Sequence, residues 1–115
     1  MLVDRKVDVG TLFYDGDGYE VDDRTLVHLQ LAISTKLRRR ESFFLTWAVP
    51  IEQGSGMHTI WIDNGIPIHF YYSASRPTDI NRAWLEALVV SSGRSFGAYL
   101  IPEAGLPDVP ADRRD

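Results

Sequence analysis

Lys36-Leu37-Arg38-Arg39-Arg40 is the one dense run of positive charge in the chain. Cationic side chains grouped this way can hold phosphates, and Arg76, Arg82 and Arg94 would add charge if they fold nearby. The competing explanation is a solvated helix end, where basic residues offset the negative end of the dipole. Aromatic side chains are the second candidate chemistry: three Trp, five Tyr and five Phe are present. On an open sheet face they could stack on bases, with Phe44, Tyr71 and Trp47 the candidates. Aromatics at strand spacing more often fill a core, and the glycine-aromatic strings of an RNA-recognition strand are missing.

Other arrangements are weaker. His58 and His69 would be diagonal neighbours if their strands formed a hairpin, with Tyr71 opposite His58. Two imidazoles there could share a metal, but no third ligand stands out and the diagonal separation is roughly 7–8 Å. Asp15-Gly16-Asp17-Gly18 invites a calcium reading. Counting from Asp15, the EF-hand positions five, six and twelve fall on Tyr19, Glu20 and Leu26, so the loop fails and reads as a turn. Gly54-Ser55-Gly56-Met57-His58 lies between two strands, whereas a nucleophile elbow sits between strand and helix. No paired carboxylates or acid-oriented histidine emerge, no cofactor motif is found, and no catalytic residue is assigned.

These residues must be positioned by a small frame. The 115 residues suit one domain, and 44% hydrophobic with 24% charged residues is ordinary globular usage. Without cysteine there is no disulfide framework, thiolate metal site or cysteine nucleophile. No apolar run reaches the ~18 residues of a membrane span, and the first residues lack a signal-peptide core, so a cytoplasmic protein is expected. Net charge is −4, which argues against unspecific binding to phosphate backbones. Residues 1–35 sum to −4, residues 36–94 to +2 and the remainder to −2, leaving a mildly basic middle.

Gly10 to Tyr14 and Tyr19 to Val21 read as a hairpin around the Asp-Gly repeat. Asp22 or Asp23 then caps a helix whose core stripe is Leu26, Leu29, Ile33 and Leu37, with Val27 and Leu31 widening it. His28, Thr35 and Arg39 fall on the opposite side and are expected to be wet. Ser42 to Val49 is apolar on both faces, as in a central strand. Met57 to Ile62 and Ile66 to Tyr72 flank Asn64-Gly65, the strongest hairpin signal in the chain. The face carrying Met57, Thr59, Trp61, Ile66, Ile68, Phe70 and Tyr72 is the greasier and is expected to meet the helices. Asp79 or Thr78 caps a second helix with Ile80, Ala83, Trp84, Ala87 and Leu88 on one side, and Gly93 ends it. Phe96 to Ile101 is the last strand.

The expected fold is therefore α+β, a mainly antiparallel sheet with two helices packed on one face, in the order β-β-α-β-β-β-α-β. Residues 1–8 form an extension, 9–102 a single domain and 103–115 a flexible tail. The uncovered sheet face is the natural working surface or dimer interface.

The strings Asp23-Arg24, His28-Leu29, Thr35-Lys36-Leu37-Arg38-Arg39, Glu41-Ser42-Phe43, Thr59-Ile60-Trp61, Ile66-Pro67-Ile68, Asn81-Arg82-Ala83-Trp84-Leu85 and Ile101-Pro102-Glu103 carry a resemblance. The pattern resembles a family of short, uncharacterised actinobacterial proteins, many labelled "ATP-dependent DNA ligase". It covers about Gly10 to Glu103, and its members begin near Gly10, so the first nine residues read as an extension or an early start. The label implies a lysine nucleophile in a Lys-x-Asp-Gly setting that forms a lysyl-adenylate. The nearest string here, Lys6-Val7-Asp8-Val9-Gly10, has one residue too many, and Lys6 and Lys36 are the only lysines. Ligase catalysis is rejected for this chain alone. What remains expected is a small non-catalytic binding domain for DNA or RNA, through Lys36, Arg38, Arg39, Arg40, Arg76, Tyr71 and Phe44. The alternative is a module that binds itself, as a homodimer, or another protein.

Overall fold

A computed structural model describes residues 8–49, 54–74, 79–91 and 98–99. The order is β1 (Val9–Tyr14), β2 (Asp17–Asp22), α1 (Asp23–Arg38), β3 (Phe43–Ala48), β4 (Met57–Ile62), β5 (Ile68–Tyr71), α2 (Arg82–Ser91) and β6 (Ala98–Tyr99). Class and element order are those expected. The strands, however, divide between two three-stranded sheets, β2-β1-β5 and β4-β3-β6. All pairings are antiparallel except β3 with β6.

Asp15 and Gly16 both have positive φ, which gives the first hairpin a two-residue turn whose twist matches its strands. Tyr14 then faces Asp17. Asn64-Gly65 behaves differently. Neither residue takes positive φ, so the turn lacks the twist a two-residue hairpin needs. Pro67 follows it and cannot donate to a ladder. β4 and β5 consequently part, one joining β3 and the other β1. The expected placing of Tyr71 opposite His58, with His69 diagonal to it, does not occur. On β4 the buried side is also the reverse of the expected one: Ile62 is buried and Ile60 half-buried, while Met57, Thr59 and Trp61 face outward.

The two sheets and α1 share one apolar core. Leu12, Tyr14 and Val21 come from the first sheet, Phe43, Leu45, Trp47 and Ile62 from the second, and Leu26, Leu29 and Ile33 from α1. Burying each such aliphatic side chain is worth about 1.5–3 kcal/mol before entropy is counted. The Tyr14 hydroxyl crosses between sheets, donating to the Trp61 carbonyl at 2.6 Å and accepting from the Asp63 amide at 2.9 Å. Burial, opposed by that amide bond, moves the Tyr14 phenol above its usual pKa.

Asp22 caps α1, its carboxylate accepting from the Thr25 amide at 3.0 Å. Asp23, inside the first turn, is buried and accepts from the Ser73 and Ala74 amides at 3.2 and 2.9 Å, tying the chain after β5 to the helix start. Gly10 sits in the same crowded corner, where a Cβ would lie 2.3 Å from the Tyr71 carbonyl oxygen and 2.7 Å from the Asp23 carboxylate. Only glycine fits there.

α1 has a second buried stripe, His28, Ala32 and Lys36, at i, i+4 and i+8. Trp84 and Leu88 of α2 join Ala32 in a smaller core cluster. His28, expected to be wet, has no exposed surface. Its Nε2 accepts from the Asn81 amide at 2.8 Å, so Nδ1 carries the proton and donates to the Arg24 carbonyl at 2.7 Å. Its ring lies 4.4 Å from that of Trp84. Asn81, rather than Asp79 or Thr78, caps α2 by accepting from the Trp84 amide at 3.1 Å. Thr78 and the stop at Gly93 lie outside the described residues.

Candidate functional site

α1 ends in a turn built by Arg40 in the left-handed region, at φ 62°. The Arg40 amide bonds the Leu37 carbonyl and the Glu41 amide reaches back to the Lys36 carbonyl, which is the Schellman arrangement with arginine where glycine usually stands. The geometry brings Glu41 onto Lys36 as a 2.7 Å ion pair. The Lys36 side chain is buried, and its ammonium is held by the exposed Glu41 carboxylate, which competes with the phosphate contact expected of it. The hydrogen bond from Lys36 holds the Glu41 carboxyl below its usual pKa. Arg38, Arg39 and Arg40 are exposed, with Arg39 lying 4.0 Å from Glu41.

The chain leaves this turn directly into β3. Ser42 hydrogen-bonds Asp63, holding that carboxyl below its ordinary pKa with help from the Gly65 amide. Asn64 donates to the Leu37 carbonyl at 3.1 Å, closing the helix end from the other side. Phe44 follows, opposite Trp61 in the register. Both are 46% exposed, and their rings meet edge to face at 4.9 Å. The Thr46 and Thr59 hydroxyls, 2.9 Å apart, continue the same face, and Met57 ends it. Phe44 is the fourth residue after Arg40, a reach of at most ~14 Å.

The other candidates lie elsewhere. Tyr71, 55% exposed, is on the outer face of the first sheet beside Thr11, so Phe44 and Tyr71 belong to separate surfaces. Trp47 is buried edge-on against Tyr19 and cannot stack on a ligand. His58 rests against Tyr19 and Trp47, while His69 rests against Phe13 on the first sheet. The pair that a metal would need is thus split between sheets, and among the described residues no group of three potential ligands converges. Arg76 and Arg94 lie outside the described residues. An apolar pocket between α1, β3 and α2, lined by Ala32, Ile33, Phe43, Leu45 and Leu88, has room for about one water molecule.

Trp61 is the residue that sequence reasoning placed inside and the structure places outside. The usable signal was the shared parity of Ile60 and Ile62 with Ile66, Ile68 and Phe70, all of which turn toward the core.

A family model described as a domain of unknown function (DUF7882) matches residues 9–103. The chain belongs to this family. The DUF7882 match therefore begins at the first residue of β1 and takes in both sheets, both helices, the arginine turn and the Phe44–Trp61 pair. No curated protein and no solved structure matches the chain. No helix among the described residues is long and apolar enough to cross a membrane.

Proposed function

We propose that this DUF7882 domain is a non-catalytic binding domain whose ligand is single-stranded nucleic acid. The observation that carries the reading is the exposed Phe44–Trp61 ring pair on a strand face, a few residues from three exposed arginines. Exposed rings offer faces to unpaired bases, and the guanidinium groups of Arg38, Arg39 and Arg40 provide phosphate contacts. Stacking is worth about 1–3 kcal/mol per base, enough to offset a modest basic patch on a chain of net charge −4. Duplex DNA offers no unstacked base to such a face. The resemblance to proteins labelled as DNA ligases supports an accessory place beside DNA, without the lysine chemistry of the ligases themselves.

Fluorescence anisotropy with labelled single- and double-stranded oligonucleotides over a salt series tests this. Three phosphate contacts on a single strand correspond to a log–log salt slope of about −2. Changing Arg38, Arg39 and Arg40 to Ala should flatten that slope. Phe44→Ala should weaken single-strand binding at least fivefold, by the lower stacking figure of about 1 kcal/mol, and leave the slope alone. No anisotropy change at low salt and micromolar protein refutes the proposal.

A further inference from the structure

The outer edge of β4 is complementary to itself. Among the described residues β4 has a strand neighbour only on the β3 side. Its six residues, Met57-His58-Thr59-Ile60-Trp61-Ile62, contain no acid, lysine, arginine or proline. Those are the devices that normally guard a sheet edge against another strand. The Gly56 carbonyl bonds the Val49 amide of the β3 side. Backbone groups alternate in direction along a strand, so His58, Ile60 and Ile62 turn theirs to β3, while Met57, Thr59 and Trp61 turn theirs outward. The Tyr14 hydroxyl on the Trp61 carbonyl and the Asp63 amide fits this parity. That carbonyl keeps a second lone pair for another donor.

We infer that a second copy of the chain pairs with β4 in antiparallel register about a two-fold axis at Thr59. In that register Thr59 meets Thr59 of the other copy and Met57 meets Trp61, each as a hydrogen-bonded pair, so that all the outward-turned groups find partners. The same register sets Met57, at 63% the most exposed large apolar side chain among the described residues, beside the Trp61 ring of the other copy, and does so twice. Sulfur against an aromatic edge is a favourable contact. An axis moved by one residue, to Ile60, would bring together backbone groups already spent on β3. The result is one continuous sheet through both protomers. Its Phe44 rings stay open on the same face, while one edge of each Trp61 ring is covered by Met57 of the other copy.

Light scattering coupled to size exclusion, on nuclease-treated protein from micromolar to hundreds of micromolar, is the test. The expected mass rises toward twice 13.0 kDa with concentration. Thr59→Pro removes an outward-facing amide and no backbone bond to β3, at the loss of the Thr46–Thr59 hydroxyl bond, and should give a monomer at every concentration with unchanged far-UV circular dichroism. Met57→Asp, which puts a carboxylate against the partner's Trp61, should do the same and serves if the proline variant does not fold. A wild-type chain that stays monomeric throughout overturns the inference, as does a dimer that survives in a folded variant. Oligonucleotide binding by a strictly monomeric protein would overturn it and leave the proposed function standing.

Discussion

Replacing Arg40 by glycine is expected to stabilise the domain by about 0.5–1 kcal/mol, although it deletes a charge from the basic end of α1. Arg40 has φ 62° and closes the helix through its own amide and that of Glu41. An L-residue in this region costs roughly 1–2 kcal/mol. Glycine removes that cost and returns about 0.4–1 kcal/mol through the greater freedom of its unfolded chain. The lost guanidinium takes a further few tenths from the interaction with the helix dipole, at an exposed position where that interaction is weak. The net gain corresponds to a rise in melting temperature of roughly 2–8 °C for a domain of this size. Arg40→Ala isolates the backbone contribution, because it loses the same charge and keeps the left-handed residue; it should melt at or slightly below the wild type. Arg40→Asn should fall between the two, since asparagine tolerates this region better than alanine. Urea titrations of the four proteins give the free energies directly. A glycine variant no more stable than the alanine variant would show that the left-handed turn is not what ends α1.

His28→Leu should cost about 2–3 kcal/mol in urea titrations, because the Asn81 amide loses its acceptor in a site without solvent and the Trp84 ring loses an aromatic neighbour. Faster hydrogen exchange at Asn81 and through the first turn of α2 should accompany it; a loss below about 0.5 kcal/mol would mean that α2 docks without this bond. The pH dependence has a sign at each end. Glu41 and Asp63 titrate below their ordinary values in the fold, so near pH 4 the unfolded chain binds more protons, and the stability they lend is lost as pH falls through the folded values. Tyr72, which donates to Gln30 at 2.6 Å, is pushed up to about 12 by burial and by the nearby Asp23 charge. Between its ordinary 10.0 and that value the folded chain holds the extra proton, so stability should decline with rising pH. A phenolate absorbance titration of wild type against Tyr72→Phe should lose its highest-pH component.

The frame was legible wherever local chemistry decides it. Period-two and period-3.6 patterning place all eight elements in order, the Asp-Gly repeat marks the first turn, and Asp22 and Asp23 mark the helix start, although which of them caps it is decided only in the structure. The division into two sheets was not, because Asn64-Gly65 resembles a hairpin turn by composition while its backbone and Pro67 prevent the pairing. Long-range packing decided the rest. A histidine fourteen residues after β1 gives no sign that α2 will cover it, and Lys36 sits with three arginines in the chain yet lays its stem against the fold and its ammonium on Glu41. Of the candidate surface, Phe44 and the arginines were readable from alternation and charge. Trp61 followed the wrong parity as soon as β4 and β5 were assumed to pair.

One oxygen atom sets the ruler for the crossover between the two halves of this molecule. The Tyr14 phenol grips two points on the chain two residues apart, the Trp61 carbonyl and the Asp63 amide. Adding or deleting a residue between those points would release one grip and shift everything downstream out of step with β1. An insertion or deletion at the mouth of the turn that links β4 to β5 is therefore expected to uncouple the two sheets.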